Sequence, residues 1–339
     1  MSPALEWVPA RRSLMFTVGG YCFREVWFES LELLTHITQI KTSLDETTAA
    51  IVPLLQRHEA IFVPSHPVNT TVPPLKLTRQ FVRYTLETAN HYYIEFDGSF
   101  DQYLRRLPRS HRHEIQRKLR RYLDGSGGTI ELQRYSTPGE AAHFYELARA
   151  LSVKTYQHRL LGLGLPDTAT FRAELREHAE RGTLRGYLLF DRGEPIAFGY
   201  CAGLGQCLRF VFTGYDPAFA ARSPGVVLVH EMVRSVVDEG RFTIVDFGTG
   251  EAQYKRLFAT AFRLCATTSF FRPTPAHAAI ILAHRACIAA SDACAATANW
   301  LGVKDWLKRL SRARGVAPGE MKASTSLFVR YRTPGRLAM

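Results

Sequence analysis

The sequence predicts an α/β (α+β) fold in which a mostly antiparallel sheet is flanked by helices. Segments at 184–190, 196–202 and 207–213 are rich in β-branched and aromatic residues, which is typical of strands. The short turns between them have the Gly-bearing composition of hairpins, so the three strands form an antiparallel meander. Apolar residues recur at helical spacing before and after this meander, which predicts the flanking helices.

Length, composition and charge limit the class of protein. The 339 residues suffice for two compact domains, and 46% of them are hydrophobic, as in globular proteins. The net charge of +12 predicts an anionic partner, whether nucleic acid, membrane surface or phosphorylated ligand. The cysteines form no C-x-x-C pair and no zinc-binding spacing with histidine, so no metal is expected. We expect the cysteines to be reduced, and no uncharged apolar run is long enough to span a membrane. Together these observations predict a cytoplasmic protein.

The chain is expected to form three regions. The first, at 1–100, is an α/β lobe with strands at 60–63 and 92–96 separated by a proline-rich loop. Within it, the segment at 77–85 fits a strand or a helix equally well. The other two regions are an α/β domain at 101–272 and an alanine-rich helical extension with a basic tail at 273–339.

Two helices open the second region. A helix at 100–107 ends at Pro108, because proline cannot continue a helix. The next helix is expected to start at Ser110, a good N-cap, and to stop at Gly125. The remaining expected elements are a strand at 129–135, helices from Pro138 and at 168–181, the meander, a helix at 226–238, a strand at 242–247 and a helix at 254–258.

The turn at 222–227 follows the meander and opens a helix. Such a turn leaves backbone N–H groups without an intrahelical partner, and the helix dipole adds positive potential. The amides of Gly225, Val226 and Val227 would then hold a pyrophosphate, and Arg222 would neutralise it. The alternative interpretation is a loop that only caps the helix.

Tyr254 and two carboxylates follow the turn in sequence. A phenol stays protonated at neutral pH, so Tyr254 is a candidate general acid, or else a core tyrosine. Asp246 and Glu251 flank a Gly-bearing turn, and either is a candidate base. For Asp246 the alternative is that it caps the turn by bonding backbone amides. Lys255 either touches phosphate or lies on a solvated face.

The order of these motifs resembles the GNAT acyltransferase superfamily over about 112–262. The family's pyrophosphate turn, Q/R-x-x-G-x-G/A, is matched by Arg222 and Gly225, whereas Val227 replaces the small last residue. The combination of 223–225, 246–250 and Tyr254-Lys255 is similar to the cellulose-biosynthesis-type acetyltransferases with BioF2-like domains. That branch is related to the Fem-type peptidyltransferases, which carry two GNAT-like lobes.

The resemblance implies a GNAT-like fold, with two such lobes, and an acyltransferase that uses acetyl-CoA or another acyl-CoA. An amine or hydroxyl of a small-molecule or saccharide acceptor would attack the thioester directly, in envelope or exopolysaccharide biosynthesis. A backbone amide near Val211, Phe212 and Thr213 would polarise the thioester carbonyl. Tyr254 would protonate the leaving thiolate.

Further candidates concern the acceptor and larger partners. The polar group Tyr156, His158 and Arg159 follows a helix and could shape an acceptor pocket. The basic helix at 105–121 fits a phosphate-bearing substrate such as tRNA, an anionic membrane surface on the cytoplasmic side, or a solvated face. The amphipathic segments at 276–300 and 303–314 could dock on the core, mediate a dimer or lie on a membrane.

Two rival functions remain open from sequence. The first is a Fem-type transferase that takes its donor group from aminoacyl-tRNA, which the basic helix and the net charge favour. The second is a degenerate GNAT-like protein that binds a ligand without catalysis, which Val227 favours.

Overall fold

The computed structural model describes residues 5–18, 21–155 and 164–300. Contacts divide the chain into a first unit, Met1–Thr88 with Cys265–Met339, and a second unit, Ala89–Leu264. This division differs from the predicted regions at 1–100, 101–272 and 273–339. The difference arises because the chain returns to the first unit after 264, so the alanine-rich helix belongs to that unit.

The elements of the first unit are β1 (Trp7–Val18), β2 (Tyr21–Leu33), α1 (Leu44–Leu54), β3 (Ala60–Pro67), β4 (Leu75–Leu77), the start of β5 (Val82–Glu95), most of β11 (Ala261–Phe271) and α8 (Pro275–Trp300). Its sheet has the order β1-β2-β3-β11. Strands β1 and β2 form an antiparallel hairpin, β3 runs parallel to β2, and β11 runs antiparallel to β3.

Strands β1 and β2 were not predicted. Arg12 and Glu32 interrupt their apolar pattern, yet both side chains are buried and form an ion pair with each other. Charged residues in a sequence usually indicate an exposed segment. Here the two strands can bury them because the opposite charges neutralise each other across the hairpin. The segment at 77–85 contains the last residue of β4, a connection at 78–81 and the start of β5.

The second unit contains the meander and the predicted turn. Its elements are α2 (Phe100–Arg106), α3 (Arg109–Ser126), β6 (Glu131–Tyr135), α4 (Pro138–Lys154), α5 (Ala169–Glu180), β7 (Leu184–Asp191), β8 (Glu194–Leu204), β9 (Cys207–Tyr215), a 3-10 turn (Pro217–Arg222), α6 (Pro224–Glu239), β10 (Ile244–Thr249) and α7 (Gln253–Phe258). With β5, the strands form a sheet of order β5-β10-β9-β8-β7-β6, antiparallel throughout except for the parallel pair β9 and β10.

This sheet is covered by helices on both faces. Neighbouring residues of a strand point to opposite faces, and in β7 Tyr187 packs with α3 and α6 while Leu188 packs with α4 and α5. Both side chains are fully buried. The predicted α/β fold, a mostly antiparallel sheet flanked by helices, is therefore confirmed.

The limits of α3 correct two predictions. The N-cap is Pro108 rather than Ser110, and the helix runs on past Gly125 to a left-handed C-cap at Gly127 with φ 75°. Gly127 is suited to this position because it has no Cβ to strain at positive φ. Within the described residues, no helix is both long and apolar enough to span a bilayer.

Candidate active site

An opening lies between the carboxyl ends of β9 and β10. The two strands pair only from Ile244 with Cys207 to Asp246 with Arg209. Both strands then continue, but the ladder between them does not, as far as the described residues show. Separation of two neighbouring strands within one sheet exposes backbone groups, which a ligand can then satisfy.

A β-bulge marks each side of this opening. Pairing of β8 with β9 steps from Cys201–Phe210 to Tyr200–Phe212, so Val211 is the extra residue. Pairing of β10 with β5 steps from Asp246 to Gly248, so Phe247 is extra there. Bulges bend a strand and change the direction of its amides, and they are frequent beside active sites. Val211 lies within the segment where the polarising amide was expected.

Tyr254 lies against this opening. Its ring makes edge-to-face contacts with Phe210 and Phe247, at centroid distances of 5.7 and 5.6 Å. These two residues directly follow the last paired positions of β9 and β10. Burial raises the pKa of the Tyr254 phenol well above its ordinary value of 10.0, so the hydroxyl stays protonated at neutral pH. A proton donor therefore lies where the strands part.

The N-terminus of α6 follows the 3-10 turn. Ser223 connects them in the left-handed conformation, with φ 55° and ψ 47°. The amides of Val226 and Val227 donate to the Ser223 carbonyl at 3.0 and 3.4 Å. Pro224 has no N–H, which leaves Gly225 as the first-turn amide that helix geometry provides without an intrahelical acceptor. Of the three predicted amide donors, Gly225 is therefore the one best placed to bind an anion.

Arg222 is engaged by the protein itself. Its guanidinium donates to both carboxylate oxygens of Asp191 at 3.0 and 2.8 Å, and to the Gly125 carbonyl at 2.8 Å. The pairing holds the pKa of the Asp191 carboxyl below its usual range. The charge expected to neutralise a phosphate is thus balanced by Asp191, and Arg222 ties α3 and β7 to the turn.

Asp246 is buried and bonded on two sides. Its carboxylate accepts from the Gly248 amide at 2.7 Å and pairs with His91 Nε2 at 2.6 Å. Arg209 Nε lies 3.9 Å away. The Gly248 bond is the turn-capping contact that the alternative interpretation anticipated. His91 lies in β5, 155 residues away in sequence, and no motif pointed to it.

Glu251 is held in an accessible position. It accepts hydrogen bonds from Tyr92 Oη at 2.7 Å and Asn90 Nδ2 at 3.2 Å, and half of its side chain is exposed. The bond from Tyr92, ahead of that from Asn90, lowers the pKa of the Glu251 carboxyl. Glu251 is therefore an ionised acceptor just after β10, held by two residues of β5. Sequence reasoning missed Tyr92 and Asn90, because their contacts are non-local.

The remaining predicted donor-site residues have structural contacts. Lys255 Nζ donates to the Thr249 carbonyl at 2.6 Å and so supports the end of β10. Phe212 stacks on Tyr200 at a centroid distance of 6.3 Å, and Thr213 Oγ1 donates to the Phe198 carbonyl at 3.0 Å. Tyr156, His158 and Arg159, the acceptor candidates, lie outside the described residues, as does 303–314.

The basic helix divides into a buried and an exposed part. Lys118 is buried and pairs with Glu114 at 2.9 Å, and Glu114 accepts from Gln253 at 3.1 Å. This network attaches α3 to the helix that carries Tyr254. The exposed row, which has no ion pair to any described carboxylate, consists of Arg109, Arg117, Arg120 and Arg121.

Comparisons with known proteins give one family and several distant structures. No curated protein matches the chain. The structure of FemX is similar at 10% identity over 81% of this chain and 90% of that one, with a TM-score of 0.47. L-PGS from Bacillus licheniformis is similar at 10% identity over 76% and 84%, with a TM-score of 0.41. The PaiA N-acetyltransferase of Thermoplasma acidophilum, in complex with coenzyme A, is similar at 13% identity over 33% and 75%, with a TM-score of 0.25.

The family match covers the elements of the site except β5, which supplies His91 and Tyr92. It begins with α3, includes the meander and the turn before α6, and ends in α7. The fold is GNAT-like, and residues 109–256 match the family model described as an acetyltransferase (GNAT) domain.

Proposed function

We propose that the protein is an acyl-CoA-dependent N- or O-acyltransferase. The observation that carries the proposal is the opening between β9 and β10, with a bulge on each side and Tyr254 at the point where the strands part. The GNAT-domain match at 109–256, which spans β9 to α7, supports the same activity. The donor is acetyl-CoA or another acyl-CoA, bound as a co-substrate.

The donor would bind along the opening. Its pyrophosphate would lie at the N-terminus of α6, where the Gly225 amide and the helix dipole favour an anion. The thioester carbonyl would accept from a backbone amide of β9 between Val211 and Thr213. A backbone N–H that is already in place needs no reorganisation during the reaction. Loss of one hydrogen-bond donor to the oxyanion typically lowers turnover by about 10²–10³-fold.

Transfer would then need one base and one acid. The acceptor nitrogen or oxygen attacks the carbonyl carbon while Glu251 takes the acceptor proton. The carbon–sulfur bond breaks, and the thiolate takes the Tyr254 proton. Burial raises the pKa of Tyr254, so its hydroxyl still carries the proton to be donated at neutral pH. Asp246 positions the turn through its bond from the Gly248 amide.

The acceptor and its setting follow from sequence resemblance. We expect a small-molecule or saccharide acceptor in envelope or exopolysaccharide biosynthesis, as in the cellulose-biosynthesis-type, BioF2-like branch. Tyr156, His158 and Arg159 remain candidates for contact with it. A cytoplasmic protein, peripheral at the membrane inner face if the arginine row binds lipid, is supported by the free thiols of Cys201, Cys207 and Cys265.

Calorimetric titration with acetyl-CoA tests the donor. Gly225→Trp should abolish binding, because even a Cβ at this position would lie 3.3 Å from Tyr215 and the indole would cover the amide. Asp238→Trp, at the exposed far end of α6, is the matched control and should bind like the native protein. If the native protein binds neither acetyl-CoA nor longer acyl-CoAs, the proposal is wrong.

A second candidate is aminoacyl transfer from aminoacyl-tRNA, which the exposed row Arg109, Arg117, Arg120 and Arg121 favours. Binding of tRNA without binding of acyl-CoA would replace the first proposal by this one. Binding of acyl-CoA with no turnover for any amine or hydroxyl would indicate a ligand-binding protein without catalysis.

A further inference from the structure

A cavity of about 150 Å³ lies in the second unit, between the end of α4 and the nearby ends of β8 and β9. Its apolar walls are Leu147, Leu151, Pro195 and Phe219. A closed apolar cavity of about this volume accommodates a six-membered aromatic ring. Here the charged residues Lys154, Glu194 and Asp216 also line the cavity, which is open on one side. The cavity therefore has room for the apolar part of a flat ring system whose polar edge stays at the charged side.

The cavity adjoins the turn proposed to hold pyrophosphate. Phe219 lies in the 3-10 turn that leads into α6, and the Arg222 guanidinium carbon lies 4.9 Å from its ring centroid. Arg222 in turn is three residues from Gly225. In coenzyme A the adenosine is bonded directly to the pyrophosphate, so its adenine must lie close to whatever binds that group.

Two charged side chains on the cavity suit the polar groups of 3′-phosphoadenosine. Asp216 accepts the Ala218 amide at 2.9 Å and pairs with Lys154 Nζ at 3.3 Å, which holds the half-exposed ammonium group beside the cavity. Glu194 is exposed and has no ion pair among the described residues. Among the described residues, Lys154 makes one ion pair and its side chain is 56% exposed, whereas Arg222 bonds both oxygens of Asp191 and is mostly buried. The Lys154 ammonium group is therefore free to turn to a 3′-phosphate, and a carboxylate accepts from the exocyclic amine of adenine.

We propose that this cavity binds the adenine ring of the acyl-CoA donor, with Lys154 at the 3′-phosphate and Glu194 at the exocyclic amine. The inference rests on the proposed acyl-CoA-dependent function, and it gives a binding site to the adenosine end of acyl-CoA, which does not react. Binding energy from such a remote group positions the thioester without taking part in the chemistry.

The first test fills the cavity and compares two donors. Ala150, on the exposed side of α4, lines the cavity, so Ala150→Trp places an indole there with little change to the core. The affinity for acetyl-CoA should fall by about 2- to 10-fold, the loss expected when an aromatic contact is removed. The affinity for S-acetyl-4′-phosphopantetheine, which lacks the nucleotide, should stay unchanged.

Ala142→Trp, exposed on the same helix but away from the cavity, is the matched control. An unchanged affinity of Ala150→Trp for acetyl-CoA would overturn the inference while leaving the acyltransferase proposal intact. If the native protein binds neither donor, the proposed function itself fails, so the two failures are distinguishable.

The second test measures how much the 3′-phosphate contributes to the affinity for coenzyme A. We expect native protein to bind coenzyme A about 3- to 10-fold more tightly than 3′-dephospho-coenzyme A, since a half-exposed lysine contributes modestly. In Lys154→Met this preference should disappear. An equal preference in both proteins would show that the 3′-phosphate lies elsewhere.

Discussion

At the scale of single residues, the sequence does not distinguish a charged side chain that binds a ligand from one that makes a structural ion pair. Arg222 precedes a Gly-bearing turn and suits a phosphate, yet its guanidinium pairs with Asp191 and bonds the Gly125 carbonyl. Asp246 likewise caps its turn and pairs with His91. Tyr254 is different, because no partner for its hydroxyl is found in the described part of the chain and its ring faces the opening.

The Asp191–Arg222 pair should make stability depend on pH. The pair lowers the Asp191 pKa below the unfolded value, so its contribution is present above about pH 4 and lost as pH falls through the folded pKa. Asp191→Asn should cost about 1–3 kcal/mol at pH 7, because it leaves a partly buried guanidinium uncompensated. Urea midpoints should converge with those of native protein as the pH falls toward about 2.

Asp124→Asn is the control for this measurement, since Asp124 is exposed and forms no ion pair with the described residues. A stability difference for Asp191→Asn that stays constant down to acid pH would contradict the assignment.

Tyr254→Phe should separate chemistry from packing. The ring contacts with Phe210 and Phe247 are retained, so the affinity for acetyl-CoA and the unfolding midpoint should stay close to native. Turnover should fall by about 10²–10⁴-fold, the usual contribution of a general acid. Because the phenol pKa is raised, its ionisation should not limit native activity below about pH 10. Native turnover in the variant would assign Tyr254 to the core alone.

At the scale of elements, one extra residue in each of two strands makes the site. Val211 and Phe247 are the bulged residues of β9 and β10, and both lie just past the last pairing between these strands. A regular ladder would satisfy the backbone amides within the sheet and leave none for a ligand. The meander and β10 therefore supply the scaffold, and we propose that their two bulges free the backbone amides that a ligand would use.

Replacement of the bulge amide tests this point. Val211→Pro removes one N–H at a bulge, a position where a strand tolerates proline. Turnover should fall by about 10²–10³-fold if this amide binds the thioester oxygen, whereas Val211→Ala, which keeps the amide, should remain near native. Circular dichroism and an unfolding curve confirm that both variants fold. Equal turnover in the two variants would place the oxyanion donor at another residue.

At the scale of the whole molecule, the positive charge has a defined location. In the second unit Arg134, Arg185 and Arg222 pair with carboxylates, while α3 presents to solvent an arginine row that makes no ion pair with any described residue. The apolar residues of α3, such as Ile115 and Tyr122, are buried in the core, so this row can attract a partner only by charge and hydrogen bonding.

Removal of this row should weaken binding to an anionic partner. We expect the quadruple Arg→Gln variant at 109, 117, 120 and 121 to lower both affinity and its salt dependence, by up to about 0.9 in log–log slope per lost phosphate contact. Folded tRNA and anionic vesicles, each titrated over a range of salt concentrations, distinguish a nucleic acid from a membrane surface.

A control variant removes the same amount of charge elsewhere, from the exposed arginines at 24, 57, 79 and 192. Equal losses in both variants would mean that net charge, and not the row on α3, governs binding. No binding of either partner by native protein would make the row a solvated helix face.

Features that depend on residues close together in the chain can be predicted from the sequence. The meander, α4, α6 and α7 were predicted because turn composition, capping and helical period are local properties. The predicted N-cap at Ser110 was nevertheless wrong. The chain adopts helical geometry directly after Pro108, so α3 begins at Arg109. The GNAT resemblance rested on the same local motifs taken in order.

The sequence by itself thus determined the fold class, the position of the turn that we propose binds an anion, and the presence of a phenol after it. Tertiary structure decided which atoms are available: it paired Asp191 with Arg222, His91 with Asp246 and Tyr92 with Glu251. It also set the two bulges, which exist only as a register between strands. The physical reason is that these pairs, up to 159 residues apart, form only when the sheet brings distant strands together and leave no periodic pattern in the chain.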